Sequence, residues 1–119
     1  MARRELIILF IASVILVALA EKIQLYTDKY DHIDADAILE NERLRNQYLN
    51  CYLGSGPCLS PDAKFLRDTF PEALATKCKR CTQRQSLFFE KITLYFTEKE
   101  PATWNKIVMK AIERSRKKN

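Results

Sequence analysis

The sequence predicts an all-α fold, a compact bundle of about six helices, from three observations. The 119 residues hold only two glycines, Gly54 and Gly56. No segment sustains the period-two alternation of a half-buried strand, and several segments repeat apolar residues at helical spacing.

The first twenty residues have the three parts of a signal peptide: Arg3 and Arg4, the apolar run Leu6 to Leu19, then Ala18-Leu19-Ala20 as a small-residue cleavage site. The apolar run is shorter than the about 20 residues that span a bilayer, so cleavage before Glu21 is expected rather than a retained anchor. Residues 1–20 are thus assigned to the signal and residues 21–119 to one small helical domain with a basic tail from about 113. Loss of Arg3, Arg4 and Glu5 takes the formal charge from +5 to +4. So small and dispersed a surplus argues against a nucleic-acid partner.

Residues 24–33 are expected to be extended. Asp34 caps a first helix, Ala35 to Leu39, with Ile38 and Leu39 inward. Leu44, Tyr48, Cys51 and Tyr52 define a second helix over about Glu42 to Leu53, which Gly54-Ser55-Gly56-Pro57 ends. Ser60-Pro61 places an N-cap before proline at the first helical position and opens a third helix with Phe65, Leu66 and Phe70 inward. Pro71 repeats the proline signal, so it is expected to stop that helix at Phe70 and open a fourth containing Ala73, Leu74 and Cys78.

From Thr82 to Glu98 the period is strongest: Phe88, Ile92, Tyr95 and Phe96 form one stripe, which Leu87, Phe89 and Leu94 widen. A helix apolar around so much of its circumference is expected at the centre of the bundle. Pro101 opens the last helix, where Trp104, Ile107, Val108, Ala111 and Ile112 recur at i, i+3, i+4, i+7 and i+8.

Four cysteines allow three connectivities, and the sequence alone does not choose among them. Geometry favours Cys51 with Cys58, folded together by the Gly-Pro turn, and Cys78 with Cys81, three apart at a helix end. The two-residue gap of Cys78-Lys79-Arg80-Cys81 also occurs in zinc knuckles, but the other couple has a six-residue gap and export oxidises thiols. No metal is expected. A Cys-X-X-Cys exchanger normally accompanies a βαβ pattern that this sequence lacks.

Catalysis finds no support. The single histidine, His32, lies in a polar stretch away from any candidate nucleophile. Asp34 and Asp36 sit where acids favour a helix start, and no Gly-rich phosphate loop is present, so neither enzyme activity nor a cofactor is expected. What stands out is apolar surplus: five tyrosines, five phenylalanines and Trp104 within residues 21–119. That supply suits either a filled core or an elongated cavity, and periodicity does not distinguish them.

Tyr26-Thr27-Asp28-Lys29-Tyr30-Asp31-His32-Ile33-Asp34, Asn41-Glu42-Arg43-Leu44 through Tyr48 to Cys51, Gly56-Pro57-Cys58, Cys78-Lys79-Arg80-Cys81-Thr82 with Gln85, and Pro101 with Trp104 together resemble the insect chemosensory proteins, also called the olfactory-specific D or ejaculatory bulb protein family. The resemblance runs from about Tyr26 to Lys110. It implies a secreted, extracellular helical bundle with cysteines bridged to their neighbours. It also implies an internal apolar channel for long-chain lipids, pheromones or odorants, lined at the positions of Tyr30, Tyr48, Ile92, Phe96 and Trp104. Asp31 and Arg43 also fall on characteristic positions, with structural roles expected. The sequence departs from that family at its end, where Lys110-Ala111-Ile112-Glu113 stands in place of Tyr-Asp-Pro and a further aromatic, which bears on how the channel closes.

The expected protein is a monomeric carrier of small hydrophobic ligands, without stable membrane insertion once the signal is removed. The competing expectation is an extracellular signalling or structural protein with a filled core, acting through its surface in development, reproduction or immunity.

Overall fold

A computed structural model describes residues 23–118, and among these it contains five helices and no strand. They are α1 (Ala35–Glu40), α2 (Glu42–Leu53), α3 (Pro61–Thr76), α4 (Gln83–Lys99) and α5 (Pro101–Lys118). The expected signal peptide and its cleavage point lie outside the described residues.

Local side-chain chemistry starts four of these helices. Asp34 Oδ1 accepts from the Asp36 and Ala37 amides at 3.0 and 3.3 Å. Ser60 Oγ accepts from the Ala63 amide at 3.3 Å, just ahead of Pro61. At α4 the Thr82 hydroxyl accepts from the Gln85 amide while Gln85 Oε1 accepts from the Thr82 amide, a reciprocal capping box. Asn41, which the sequence reading passed over, caps α2 through the Leu44 amide and so divides α1 from α2 with a single residue. Gly54 ends α2 at φ 81°, in the left-handed region where glycine has no Cβ to clash.

The expected break at Pro71 does not occur. Pro71 lies buried inside α3, which runs on to Thr76, so five helices replace the expected six. Proline removes the amide that would bond the Arg67 carbonyl, but flanking Phe70 and Ala73 are buried and hold the helix in line. Cys78 is correspondingly not helical. Lys77 and Cys78 take left-handed φ values of 55° and 62°, and the Cys78 amide returns to the Ala73 carbonyl at 2.8 Å.

The helices close a ring around the core: α1 packs on α2 and α4, α2 on α3 and α5, α3 on α5, and α4 on α5. Thus α2 and α5, each touching three neighbours, are the central helices, and α4, touching two, is not. Leu87 and Leu94, expected to widen the buried face of α4, are 53% and 50% exposed. Only the Phe89 and Phe96 side of α4, with half-buried Phe88 and Ile92, meets the core of Leu39, Tyr52, Phe70 and Ile107.

Residues before α1 form a strap across the α3–α4 connection. The Tyr26 amide donates to the Arg80 carbonyl at 2.8 Å, and Arg80 Nε donates to the Gln24 carbonyl at 2.8 Å. Asp31 anchors the next turn, its carboxylate accepting from Thr82 Oγ1 at 2.7 Å and Gln85 Nε2 at 2.9 Å. Gln85 is 5% exposed and also donates to the Thr27 carbonyl, so its burial is matched by hydrogen bonds.

Candidate functional site

Both disulfides are local. Cys51 joins Cys58 at the end of α2, and Cys78 joins Cys81 within the α3–α4 connection. All four cysteines are paired, which leaves no free thiol to bind a metal. Neither bridge ties one helix to another. Cohesion between helices therefore rests on side-chain packing and a few polar bridges.

Against this core lies an apolar pocket of about 80 Å³, partly open to solvent, to which every helix contributes. Ile38 and Leu39 come from α1, Tyr48, Leu49 and Tyr52 from α2, Leu66 and Phe70 from α3, Phe88, Phe89, Ile92 and Phe96 from α4, and Ile107 from α5. Helical spacing accounts for the set. Phe88, Ile92 and Phe96 recur every four residues on α4, and Arg45, Tyr48, Leu49 and Tyr52 fall at i, i+3, i+4 and i+7 on α2.

The polar groups in the wall are mostly engaged elsewhere. Tyr48 Oη donates to Asp62 Oδ2 at 2.6 Å. Burial and that hydrogen bond raise the Tyr48 phenol well above its ordinary pKa. Burial alone would raise the Asp62 carboxyl, but hydrogen bonds from Ser60, Tyr48 and the backbone outweigh it and hold the carboxyl below its ordinary value. Tyr52 Oη donates to the Ile107 carbonyl at 2.8 Å, and burial pushes its phenol up to about 12 against the opposing effect of the nearby Arg114 cation. Arg67 donates through Nε to Asp68 and through Nη1 to Cys58 Sγ.

Of the five residues that the resemblance places on a ligand, Tyr48, Ile92 and Phe96 stand together in this wall. Tyr30 lies in a second, smaller pocket of about 20 Å³ with Asp31, Ile33, Phe65, Arg84 and Gln85. The two pockets share Leu66 and Phe88 as a common partition. Trp104 is half-buried and packs against the core, outside both walls. Sequence reasoning missed Leu49, Leu66 and Phe89 as wall residues although their helical stripes were legible. It had no signal for Arg45, a charged residue whose inward placement depends on α1 and the α4–α5 junction.

The family model described as the insect pheromone-binding family, A10/OS-D, matches residues 26–119. The chain belongs to that family. Its kinship with other A10/OS-D proteins is substantial. Odorant-binding protein A10 of Drosophila melanogaster is 42% identical over 84 residues, covering 71% of this chain and 54% of that relative, so the chain spans about half that relative's length. Ejaculatory bulb-specific protein 3 of the same species is 34% identical over 107 residues, 90% of this chain and 82% of the relative. Among solved structures, a chemosensory protein in complex with bromo-dodecanol superposes with a TM-score of 0.68 at 36% identity, over 78% of this chain and 94% of the other. The five helices and local bridges of this A10/OS-D chain therefore sit within an architecture of which a ligand-bound example exists.

Proposed function

We propose that this A10/OS-D protein is a secreted, monomeric carrier that holds small hydrophobic ligands, of the long-chain lipid, pheromone or odorant class, in this apolar pocket. One observation carries the reading: a pocket walled by apolar side chains from all five helices, its tyrosine hydroxyls already bonded to protein. Such a wall offers a hydrocarbon chain chiefly removal from water. The bromo-dodecanol bound to the structural relative supports the same reading.

At about 80 Å³ the pocket is smaller than the ~300–1,000 Å³ of sites for drug-sized molecules, so a long chain enters by displacing side chains. The means are at hand, because no disulfide locks two helices together and Leu49, Leu66, Phe88 and Ile92 are only half-buried. In this proposal Tyr48, Ile92 and Phe96 contact the ligand first. A longer chain reaches Tyr30 by moving the Leu66 and Phe88 partition, and Trp104 joins the lining when α5 shifts outward.

Displacement of an apolar fluorescent probe by a homologous series of straight-chain alcohols tests the reading. Each buried methylene contributes about 0.8 kcal/mol, so each added carbon tightens binding about fourfold until the expanded pocket is full. Failure of every chain length to displace the probe overturns it. Secretion is tested by the intact mass of exported protein, where a retained Met1 counts against cleavage before Glu21.

A further inference from the structure

The pocket has one polar group whose hydrogen-bonding capacity is not met. Arg45 lines the wall from α2, and its side chain is 17% exposed. Its Nη1 donates to the Leu39 carbonyl at the end of α1 at 2.7 Å, and its guanidinium lies 5.1 Å from the Tyr95 ring centroid. Its Nε is buried and has no hydrogen-bond partner, alone in this among the described residues. Glu100, at the α4–α5 junction, brings Oε2 to 3.6 Å from that Nε, close enough for charge attraction but too far for a hydrogen bond.

We propose that Arg45 and Glu100 form the head-group site of the pocket, selecting chains that end in an uncharged hydroxyl over chains that end in a carboxylate. The proposal rests on the carrier reading and adds a choice of ligand to it. An unmet buried donor raises the free energy of the empty protein, and a ligand oxygen that accepts from Nε relieves this. Any such oxygen also lies beside Oε2 of Glu100. A primary alcohol satisfies both groups, accepting from Arg45 and donating its proton to the Glu100 carboxylate. A fatty carboxylate meets the same cation but sets a second negative charge within about 4 Å of Glu100, where the attraction and repulsion largely cancel. An ether can accept but leaves Glu100 without a donor.

The other polar side chains of the pocket wall already have hydrogen-bond partners, Tyr52 in the Ile107 carbonyl. Tyr48 is bonded to Asp62, and Arg67 to Asp68 and Cys58, none of these three being wall residues. The Arg45–Glu100 pair is therefore the point at which the pocket can tell one chain end from another.

Competition against N-phenyl-1-naphthylamine with 1-dodecanol, dodecanoate and 1-methoxydodecane at neutral pH tests this on the whole protein. Dodecanol is expected to bind about fivefold or more tightly than either of the others, the scale of one hydrogen bond made or lost. Glu100→Gln should bring dodecanoate to within about twofold of dodecanol by removing the repulsion. Arg45→Gln, which leaves the Glu100 carboxylate without its cation, should weaken dodecanoate further relative to dodecanol. Circular dichroism verifies folding, and if Arg45→Gln does not fold, Glu100→Gln decides alone. Dodecanoate binding as tightly as dodecanol to the unaltered protein, or a gap between the two that is unchanged in either folded variant, overturns the head-group site. Failure of all three chains to compete overturns the carrier reading on which it stands.

Discussion

The guanidinium of Arg114 donates through Nη1 to the carbonyl of Arg67 at 3.4 Å. That carbonyl is the one that Pro71, four residues further on, leaves without its helical amide. The same guanidinium donates through Nη2 to the Tyr52 carbonyl and lies 5.0 Å from the Tyr52 ring centroid. One side chain thus joins α2, α3 and α5 and satisfies the acceptor that an internal proline exposes.

Replacing Arg114 with methionine keeps the apolar stem and removes the donors. The expected loss is about 1–3 kcal/mol, seen as a thermal midpoint several degrees lower. Lysine should recover only part of it, because a single ammonium cannot fork between two carbonyls while lying flat over a ring.

Alkali should destabilise the protein through its tyrosines. The folded state holds the Tyr52 phenol at about 12, and raises those of Tyr26 and Tyr48 through burial and hydrogen bonds to Glu72 and Asp62. Since an unfolded tyrosine releases its proton near pH 10, the native state binds more protons above that pH. The contribution of Tyr52 is complete below about pH 10 and is lost as pH rises toward 12. Urea midpoints should fall across that window, and Tyr52→Phe should flatten part of the fall.

At the acid end the sign reverses. Asp62 titrates below its ordinary value in the folded state, so its stabilisation is present above the usual carboxylate range and disappears as pH falls through the folded value. Asp62→Asn should remove that part of the acid dependence, read from unfolding midpoints between neutral and strongly acid pH.

Removing the Cys78–Cys81 bridge by a double substitution to serine should loosen the strap rather than the bundle. The strap hangs on the Arg80 backbone carbonyl and guanidinium inside the closed loop, and Tyr26 and Arg80 share Glu72 Oε1 at 2.8 and 3.0 Å. A bridge closing so short a loop contributes about 2 kcal/mol. Hydrogen exchange at the Tyr26 amide should accelerate sharply while far-UV helicity stays near its original value.

The two faces of α4 should respond very differently. Leu87→Gln and Leu94→Gln alter exposed side chains and should change stability by less than about 0.5 kcal/mol. Phe96→Ala empties a side chain that is 4% exposed and should cost about 3–5 kcal/mol. Chemical denaturation of the three variants separates these outcomes.

Much of this was legible in the residues. The caps at Asp34, Ser60 and Thr82, the Gly54 stop and the pairing of neighbouring cysteines depend on groups only a few residues apart. The apolar stripe of α4 was equally legible, yet its width misled: Leu87 and Leu94 look like core until the positions of α1 and α5 show which side of the helix is covered.

The amino-acid order by itself determined an all-helical chain with its punctuation, its two short loops bound by cysteines and its kinship, because each of these is written in spacing or in a contiguous motif. Only the tertiary structure decided that Pro71 would be absorbed, that α2 and α5 rather than α4 would be central, and that Arg45 would line an apolar wall near Glu100. Those outcomes turn on groups 47 and 55 residues apart, Arg67 with Arg114 and Arg45 with Glu100. Their meeting is fixed by how the helices pack together, which no local pattern specifies.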